Sequence, residues 1–305
     1  MTRKWGMPYK GSKNQIAEKI VNFLPEGEWL YDLFGGGGAI THCAALSGKW
    51  KHIVYNEINP VVFKGFQMAV HGEFKNENRW ISREDFFRLK SSDPYAAICF
   101  SFGNDLRSYA YSKECELFKK AVHYSIFFND NSLLKEYADL SNFNCSSKKP
   151  EERKLKLQRY LKVLLKENKI EVDYGISDSD ILQSQNCLER LKSLEILKRL
   201  ERLKNLERLD YSEVQIENGG VIYCDIPYKN SNKYTLPFDY DRFYKWAEKT
   251  NNVFISEYDM PDNFIEVWNC EKRSTMSANG KSHGKLERIF TNQKTYDKLK
   301  EIWLI

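Results

Sequence analysis

Between residues 29 and 46 the chain reads as a strand, a glycine turn and a helix, with no spacer between them. Trp29-Leu30-Tyr31-Asp32-Leu33 is aromatic and aliphatic, which suits a sheet strand. Phe34-Gly35-Gly36-Gly37-Gly38 follows, and Ala39 to Leu46 then reads as a short helix. Glycines held this tightly between apolar segments do not make a flexible linker. They make a turn in which a backbone without Cβ atoms can approach another group closely. In an open α/β sheet this is also where a nucleotide-like ligand is bound, outside the carboxyl ends of the strands. The glycines lack G-x-G-x-x-G spacing and no Walker lysine follows them, so dinucleotide and ATP binding are poorly matched.

The flanking segments extend this pattern. His52-Ile53-Val54-Tyr55-Asn56-Glu57 reads as a second strand, ending in an acid 22 residues after Gly35. An acid in that place typically accepts from ribose hydroxyls, which makes Glu57 a candidate. Asn59-Pro60 predicts a helix start, with Asn59 as N-cap and Pro60 in the first turn. Upstream, Pro8 to Lys13 is expected to precede a helix: Ser12 and Gln15 have capping-box spacing, and Ile16, Ile20 and Phe23 or Leu24 then recur at helical spacing. Its N-terminus, with Lys10 and Lys13, offers donors and positive charge to an anionic group.

Val221-Ile222-Tyr223-Cys224-Asp225-Ile226-Pro227-Tyr228 reads as a buried strand ending in an acid, a proline turn and an exposed aromatic. A carboxylate and a neighbouring carbonyl suit an exocyclic amine, whose lone pair is delocalised into its ring. Each acceptor can take one N–H, which holds the nitrogen with its lone pair directed at an electrophile. Asp225 would supply the carboxylate and Ile226 the carbonyl. Pro227 would stiffen the turn, and Tyr228 would stack on the base.

From about residue 70 the βα rhythm stops, and it returns only near Leu206. Ala96 to Phe102 suits either a strand or a buried helical segment. Lys113 to Phe128 reads as a helix, and Glu151 to Lys166 as a basic amphipathic helix. Lys148 to Lys169 carries nine Lys/Arg against three Glu, and Lys272 to Lys285 carries four Lys/Arg and no acid. Solvated surfaces can be charged in this way, but the two runs together also suit a polyanion. Residues 187 to 210 repeat a hexapeptide four times, with leucine at every third position from Leu188 to Leu209. On an α-helix such leucines drift round the cylinder. A helix over most of the repeat is expected, passing to a strand near Leu206 to Leu209. Val253 to Ser256 reads as a strand, and Phe264 to Trp268 with Leu286 to Phe290 as an antiparallel edge pair.

A length of 305 residues suggests about two domains. The mean hydropathy of −0.61 and the lack of a long apolar run argue against a membrane protein, and the N-terminus lacks a signal-peptide pattern. The seven cysteines (43, 99, 115, 145, 187, 224, 270) show no zinc spacing and read as free thiols in a reducing cytoplasm; no metal site is expected.

Taken in order, four stretches of the chain resemble the Dam-type DNA adenine-N6 methyltransferases, in particular phage-borne members. Tyr9-Lys10-Gly11-Ser12-Lys13 resembles the N-terminal cofactor motif, and Asp32-Leu33-Phe34-Gly35-Gly36-Gly37 the F-x-G-x-G loop. Asn56-Glu57-Ile58-Asn59 resembles the acid-bearing second strand, and Asp225-Ile226-Pro227-Tyr228 the D-P-P-Y catalytic motif. Asp210-Tyr211 resembles the aromatic position shortly before that motif. Ile226 stands where the family has a first proline, and Glu57 where it commonly has Asp.

The resemblance implies an α/β fold with a mostly parallel, doubly wound sheet of the Rossmann-like methyltransferase kind. Residues 1–69 and 206–305 would form the catalytic domain, and an inserted, mainly helical target-recognition domain would span 70–205. S-adenosylmethionine would contact Tyr9, Lys13, Asp32, Phe34, Gly35, Gly36, Gly37, Glu57, Asp210, Tyr211 and Asp225. Double-stranded DNA would be the partner, its adenine flipped out to Asp225, Ile226, Pro227 and Tyr228. Lys10, Lys154, Lys156, Arg159, Lys272, Arg273 and Lys281 are candidates for nucleic-acid contact. The setting would be cytoplasmic, with a phage context or a cognate restriction endonuclease both left open. Methylation of RNA or of another amine, such as a glutamine side chain, also fits the chemistry, as does a non-catalytic DNA-binding relative.

Overall fold

Five adjacent parallel strands belong to a seven-stranded sheet: β1 (Gly27–Asp32), β2 (Trp50–Asn56), β3 (Leu203–Glu207), β4 (Val221–Asp225) and β5 (Val253–Glu257). An antiparallel pair completes it, β6 (Phe264–Arg273) and β7 (Gly284–Asn292), with β7 against β5. The order is β3-β2-β1-β4-β5-β7-β6. The chain therefore walks outward from β1 to β3 and returns to the other side of β1 with β4, so the winding reverses between β1 and β4. The expected antiparallel pair is present, with β6 at one edge of the sheet and β3 at the other. This is a computed structural model, and it describes residues 5–137, 140–167, 183–200, 202–229, 237–273 and 284–303.

The chain divides into two compact units. The first joins Met1–Met7, Gly11–Gly72 and Ser193–Ile305; the second joins Pro8–Lys10 and Glu73–Lys192. The first contains the whole sheet. Its central strands read as near-continuous apolar runs because both faces are covered. On one face Tyr31, Ile222, Cys224, Val253 and Ile255 pack with Phe243 and Ala247 of α9 (Tyr240–Lys249). Phe254, pointing the other way, meets Phe23 of α1 (Ala17–Phe23) edge-on at 6.1 Å. The helix α2 (Ala39–Ser47) follows the glycine loop, and α10 (Gln293–Trp303) closes the chain. In α3 (Pro60–His71), Asn59 Oδ1 accepts from the Val61 and Val62 amides and Pro60 opens the first turn, as expected.

The helix after Ser12 differs from expectation. α1 begins at Ala17 with Ile16 as a cap that makes no side-chain bond, so the Ser12–Gln15 capping box does not form. Lys13 explains the displacement. Its carbonyl accepts from the Ile16 amide in a turn, and its side chain is buried in the sheet unit.

Among the described residues, the regular elements of the second unit are helices, with an isolated Ser101–Tyr109 bridge. Its helices are α4 (Arg83–Leu89), α5 (Pro94–Cys99), α6 (Lys113–Phe128), α7 (Pro150–Lys166) and α8 (Gln183–Ser193), whose last residue falls to the first unit. The apolar run at Ala96 is thus helical: Asp93 caps it and Pro94 opens it. Phe118, Val122 and Ile126 of α6 form a core with Leu157, Leu161 and Leu164 of α7. Arg153, counted above among the basic run, is buried and structural. Its guanidinium donates to the carbonyls of Ile126 (2.6 Å), Phe127 (3.1 Å) and Ser147 (2.9 Å), closing the end of α6.

The leucine repeat is α-helical only to Ser193. A 3-10 helix spans Leu194–Arg199, and β3 begins at Leu203, three residues earlier than the sequence suggests. With three residues per turn, a 3-10 helix keeps leucines three apart on one side. Leu188, Leu191, Leu194 and Leu197 are all buried. No helix among the described residues is long and apolar enough to cross a membrane.

Candidate active site

The reversal between β1 and β4 brings two of the sequence motifs to neighbouring strand ends. Leu33 N–H bonds the Tyr223 carbonyl at 3.0 Å, so the glycine loop leaves β1 beside the point where Asp225 ends β4. The loop is closely tied. Gly35 N–H donates to the Asn56 carbonyl at 2.8 Å, and the Tyr55 hydroxyl to the Gly36 carbonyl at 2.7 Å. A Cβ at Gly35 would stand 2.3 Å from the Tyr55 ring. One at Gly38, whose φ is +68°, would stand 2.1 Å from the Phe66 ring. Both positions therefore demand glycine, because the loop is pressed onto β2 and α3.

Two acids flank the loop, and Glu57 bonds it directly. Asp32 is buried, and its Oδ2 accepts from both the amide (3.1 Å) and the hydroxyl (2.7 Å) of Thr41, binding β1 to the first turn of α2. Burial pushes its carboxyl up to about 7, against the Thr41 hydrogen bonds. Glu57 Oε2 accepts from Gly36 N–H (2.9 Å) and Oε1 from Asn59 N–H (2.7 Å). Burial raises its pKa too. Two accepted bonds leave a carboxylate about two further lone-pair sites, enough for a diol.

Phe34 stacks on Tyr211 at 5.5 Å, within a cluster that includes Phe238 and Phe243. Asp210 faces elsewhere. Arg242 grips both of its oxygens, at 2.9 and 3.0 Å.

At the end of β4 the carboxylate of Asp225 is not alone. Lys13 Nζ lies 2.6 Å from its Oδ1, 3.6 Å from Glu287 Oε2 and 4.6 Å from the centre of the Tyr228 ring. Burial by itself would lower the Lys13 pKa. The charges of Asp225 and Glu287 more than reverse this, and the ammonium stays protonated. Tyr228, expected to be exposed, is buried. Its hydroxyl donates to Glu287 (2.7 Å) and lies 3.2 Å from Ser256, and its ring meets Tyr258 edge-on at 4.4 Å. Ile226 is buried in the core cluster, and the Pro227 carbonyl accepts from the Tyr240 hydroxyl at 2.8 Å. Glu257 ends the next strand, with its Oε2 accepting from Lys229 N–H and its carboxyl pushed up to about 7 by burial.

The sequence reading did not single out Glu287, Ser256 or Glu257. Glu257 carried one usable signal, an acid at a strand end like Asp32 and Asp225. Glu287 carried none, since it is buried beside a more exposed Leu286.

Tyr9 and Lys10 belong to the second unit, where Lys10 is exposed. On α7, Lys156 and Arg159 are exposed, but Lys154 is held by Glu189 (3.3 Å) and Asn186 (2.9 Å). Lys272 and Arg273 are the last residues of β6, paired in register with Lys285 and Gly284, so they belong to a strand instead of the expected loop. Lys281 lies outside the described residues. A cavity of about 600 Å³ opens at the amino ends of β4 and β5, lined by Gly219, Gly220, Asn252, Lys294 and Lys298. It is at the far end of the strands from Asp225. The chemistry of the carboxyl ends, and not that volume, marks the candidate site. Among the described residues no cluster of His, Cys, Asp or Glu could hold a metal. No family model matches this chain, and no curated protein does either.

Proposed function

We propose that this protein is an S-adenosylmethionine-dependent DNA adenine-N6 methyltransferase of the Dam type. One observation carries the proposal: the glycine loop after β1 and Asp225-Ile226-Pro227-Tyr228 after β4 leave adjacent strands on the two sides of the reversal in the sheet. There a cofactor held by the first motif would meet an amine held by the second.

The donor fits the residues present. Glu57 is a buried acceptor beside a loop that excludes Cβ atoms, and Phe34 and Tyr211 offer aromatic surface. Bound S-adenosylmethionine would supply an electrophilic methyl group. The protein would do the rest. A flipped adenine would present its amine to the Asp225 carboxylate and the Ile226 carbonyl, one N–H to each. Asp225 can accept while Lys13 remains bound, because a carboxylate has about four lone-pair sites. Charge developing on the amine would be met by that carboxylate in a partly buried setting. Stacking by Tyr228 requires its ring to leave Tyr258 and Glu287 when the base enters. The second unit would read the DNA, with Lys156 and Arg159 on phosphates. A DNA substrate and reduced thiols suit the cytoplasm.

The contact of Lys13 with Asp225 favours a second reading, a DNA-binding relative in which the acid is neutralised and no methyl is moved. Labelled methyl transfer decides between them. The protein, the labelled donor and duplex DNA, RNA or a mixed protein extract are incubated in parallel. Label should enter the DNA. Label in RNA or protein alone would reassign the substrate, and label in none would favour the binding relative.

A further inference from the structure

The second unit contains a pair of thiols for which the proposed methyl transfer has no use. Cys99 ends α5 and Cys187 lies in α8, 88 residues later, and their sulfurs stand 2.9 Å apart. Both are buried, and neither is in a disulfide. The other cysteines (43, 115, 145, 224 and 270) are thiols as well.

We propose that Cys99 and Cys187 form a redox site, oxidised by a small peroxide to a disulfide that fastens α8 to α5. The burial of both sulfurs selects a small oxidant over a bulky disulfide. Cys187 is the better first nucleophile. Arg190, one turn along α8, is close enough for electrostatic interaction with it. Cys99 is the poorer one, its thiol pushed well up by burial and by its contact with Cys187. The Cys187 thiolate attacks one peroxide oxygen, the O–O bond breaks, and hydroxide leaves with the electron pair, giving a sulfenic acid. Cys99 then attacks that sulfur, the S–O bond breaks, and the Cys99 proton and the departing hydroxide form water. In sum, two thiols and one hydrogen peroxide give one disulfide and two waters. A dithiol reductant reverses the change. In a reducing compartment such a bond is transient and responsive instead of a permanent staple.

The experiment uses the whole chain. It is exposed to graded hydrogen peroxide, quenched, alkylated in denaturant, and examined by intact mass and peptide mapping with and without dithiothreitol. The expected product carries five alkyl groups where the reduced chain carries seven, links the Cys99 and Cys187 peptides, leaves the other five cysteines alkylated, and reverts with reductant. Its thermal midpoint should exceed that of the reduced protein. Cys99→Ala and Cys187→Ala should each abolish the linked peptide. If either variant fails to fold, the wild-type map still decides. Absence of the linked peptide, oxidation of the pair no faster than that of buried Cys224, or a lowered midpoint in the linked protein would overturn the proposal.

Discussion

Lys13 is buried between two carboxylates and an aromatic ring, and little water reaches it. Replacing it with methionine would keep the volume but leave Asp225 and Glu287 facing each other without a cation. Breaking a buried pair by removing one partner costs about 3–5 kcal/mol, and the partial exposure of Asp225 places the expected loss near the low end, ~3 kcal/mol. Urea unfolding at neutral pH measures it. The deficit should shrink as the pH falls and the carboxylates take up protons. An unchanged midpoint would mean that the three charges do not interact as the distances imply.

Asp32 tests a different residue-scale effect. Its carboxyl is held at about 7 in the fold against an ordinary 3.8, so between those values the folded chain binds the proton that the unfolded chain has released. Stability must therefore fall as the pH rises through that window, and the loss is complete above it. Asp32→Asn keeps an acceptor for Thr41 and cannot ionise. Relative to wild type it should gain stability from pH 4 to 7 and hold that gain at pH 8. A difference that does not vary with pH would mean that Asp32 is not buried as the structure has it. Glu257, raised to about 7 from 4.5, should add a similar downward slope to the wild-type profile.

At the scale of elements, much was legible. Parallel strands declared themselves as apolar runs because both faces are buried, and Asn59-Pro60 declared a helix start because only a few side chains satisfy its first amides. Three things were obscured. The capping-box spacing at Ser12 was overridden when Lys13 turned inward to the acids, a tertiary demand that local propensity cannot register. The leucine repeat runs from helix to strand as expected, but its period of three does not show where the α-helix gives way to a 3-10 turn at Leu194 or that the strand starts at Leu203. The basic run in α7 concealed two roles, because Arg153 is committed to carbonyls and Lys154 to Glu189. Of Lys154, Lys156 and Arg159, only Lys156 and Arg159 are exposed and remain candidates for phosphate contact. Replacing both with alanine should weaken binding to all DNA sequences alike and flatten the salt dependence, by ~0.9 in log–log slope for each phosphate no longer neutralised. A slope equal to that of wild type would remove this helix from the interface.

At the scale of the molecule, the sheet order decides which motifs can meet. The sequence placed Glu57 and Asp225 at strand ends, but it could not show that β1 would lie between β2 and β4 and so bring the glycine loop beside both acids. That depends on long-range pairing, for which spacing along the chain carries no signal. The same pairing delivers Glu287 from β7 to Tyr228, 59 residues apart. Burial of Tyr228 is thus a property of the sheet and not of its motif, whose turn reads as exposed.

The central claim is that the end of β4 holds the reacting amine, and single-turnover methyl transfer to duplex DNA tests it most directly. N6-methyladenine is quantified in the digested nucleosides, and cofactor affinity is measured on the same preparations. Wild type should form N6-methyladenine. Asp225→Asn and Asp225→Ala should bind the donor nearly normally and react about 10²–10³-fold more slowly, the loss typical of one preorganised electrostatic group. Asp225→Ala forming N6-methyladenine at the wild-type rate would contradict the account.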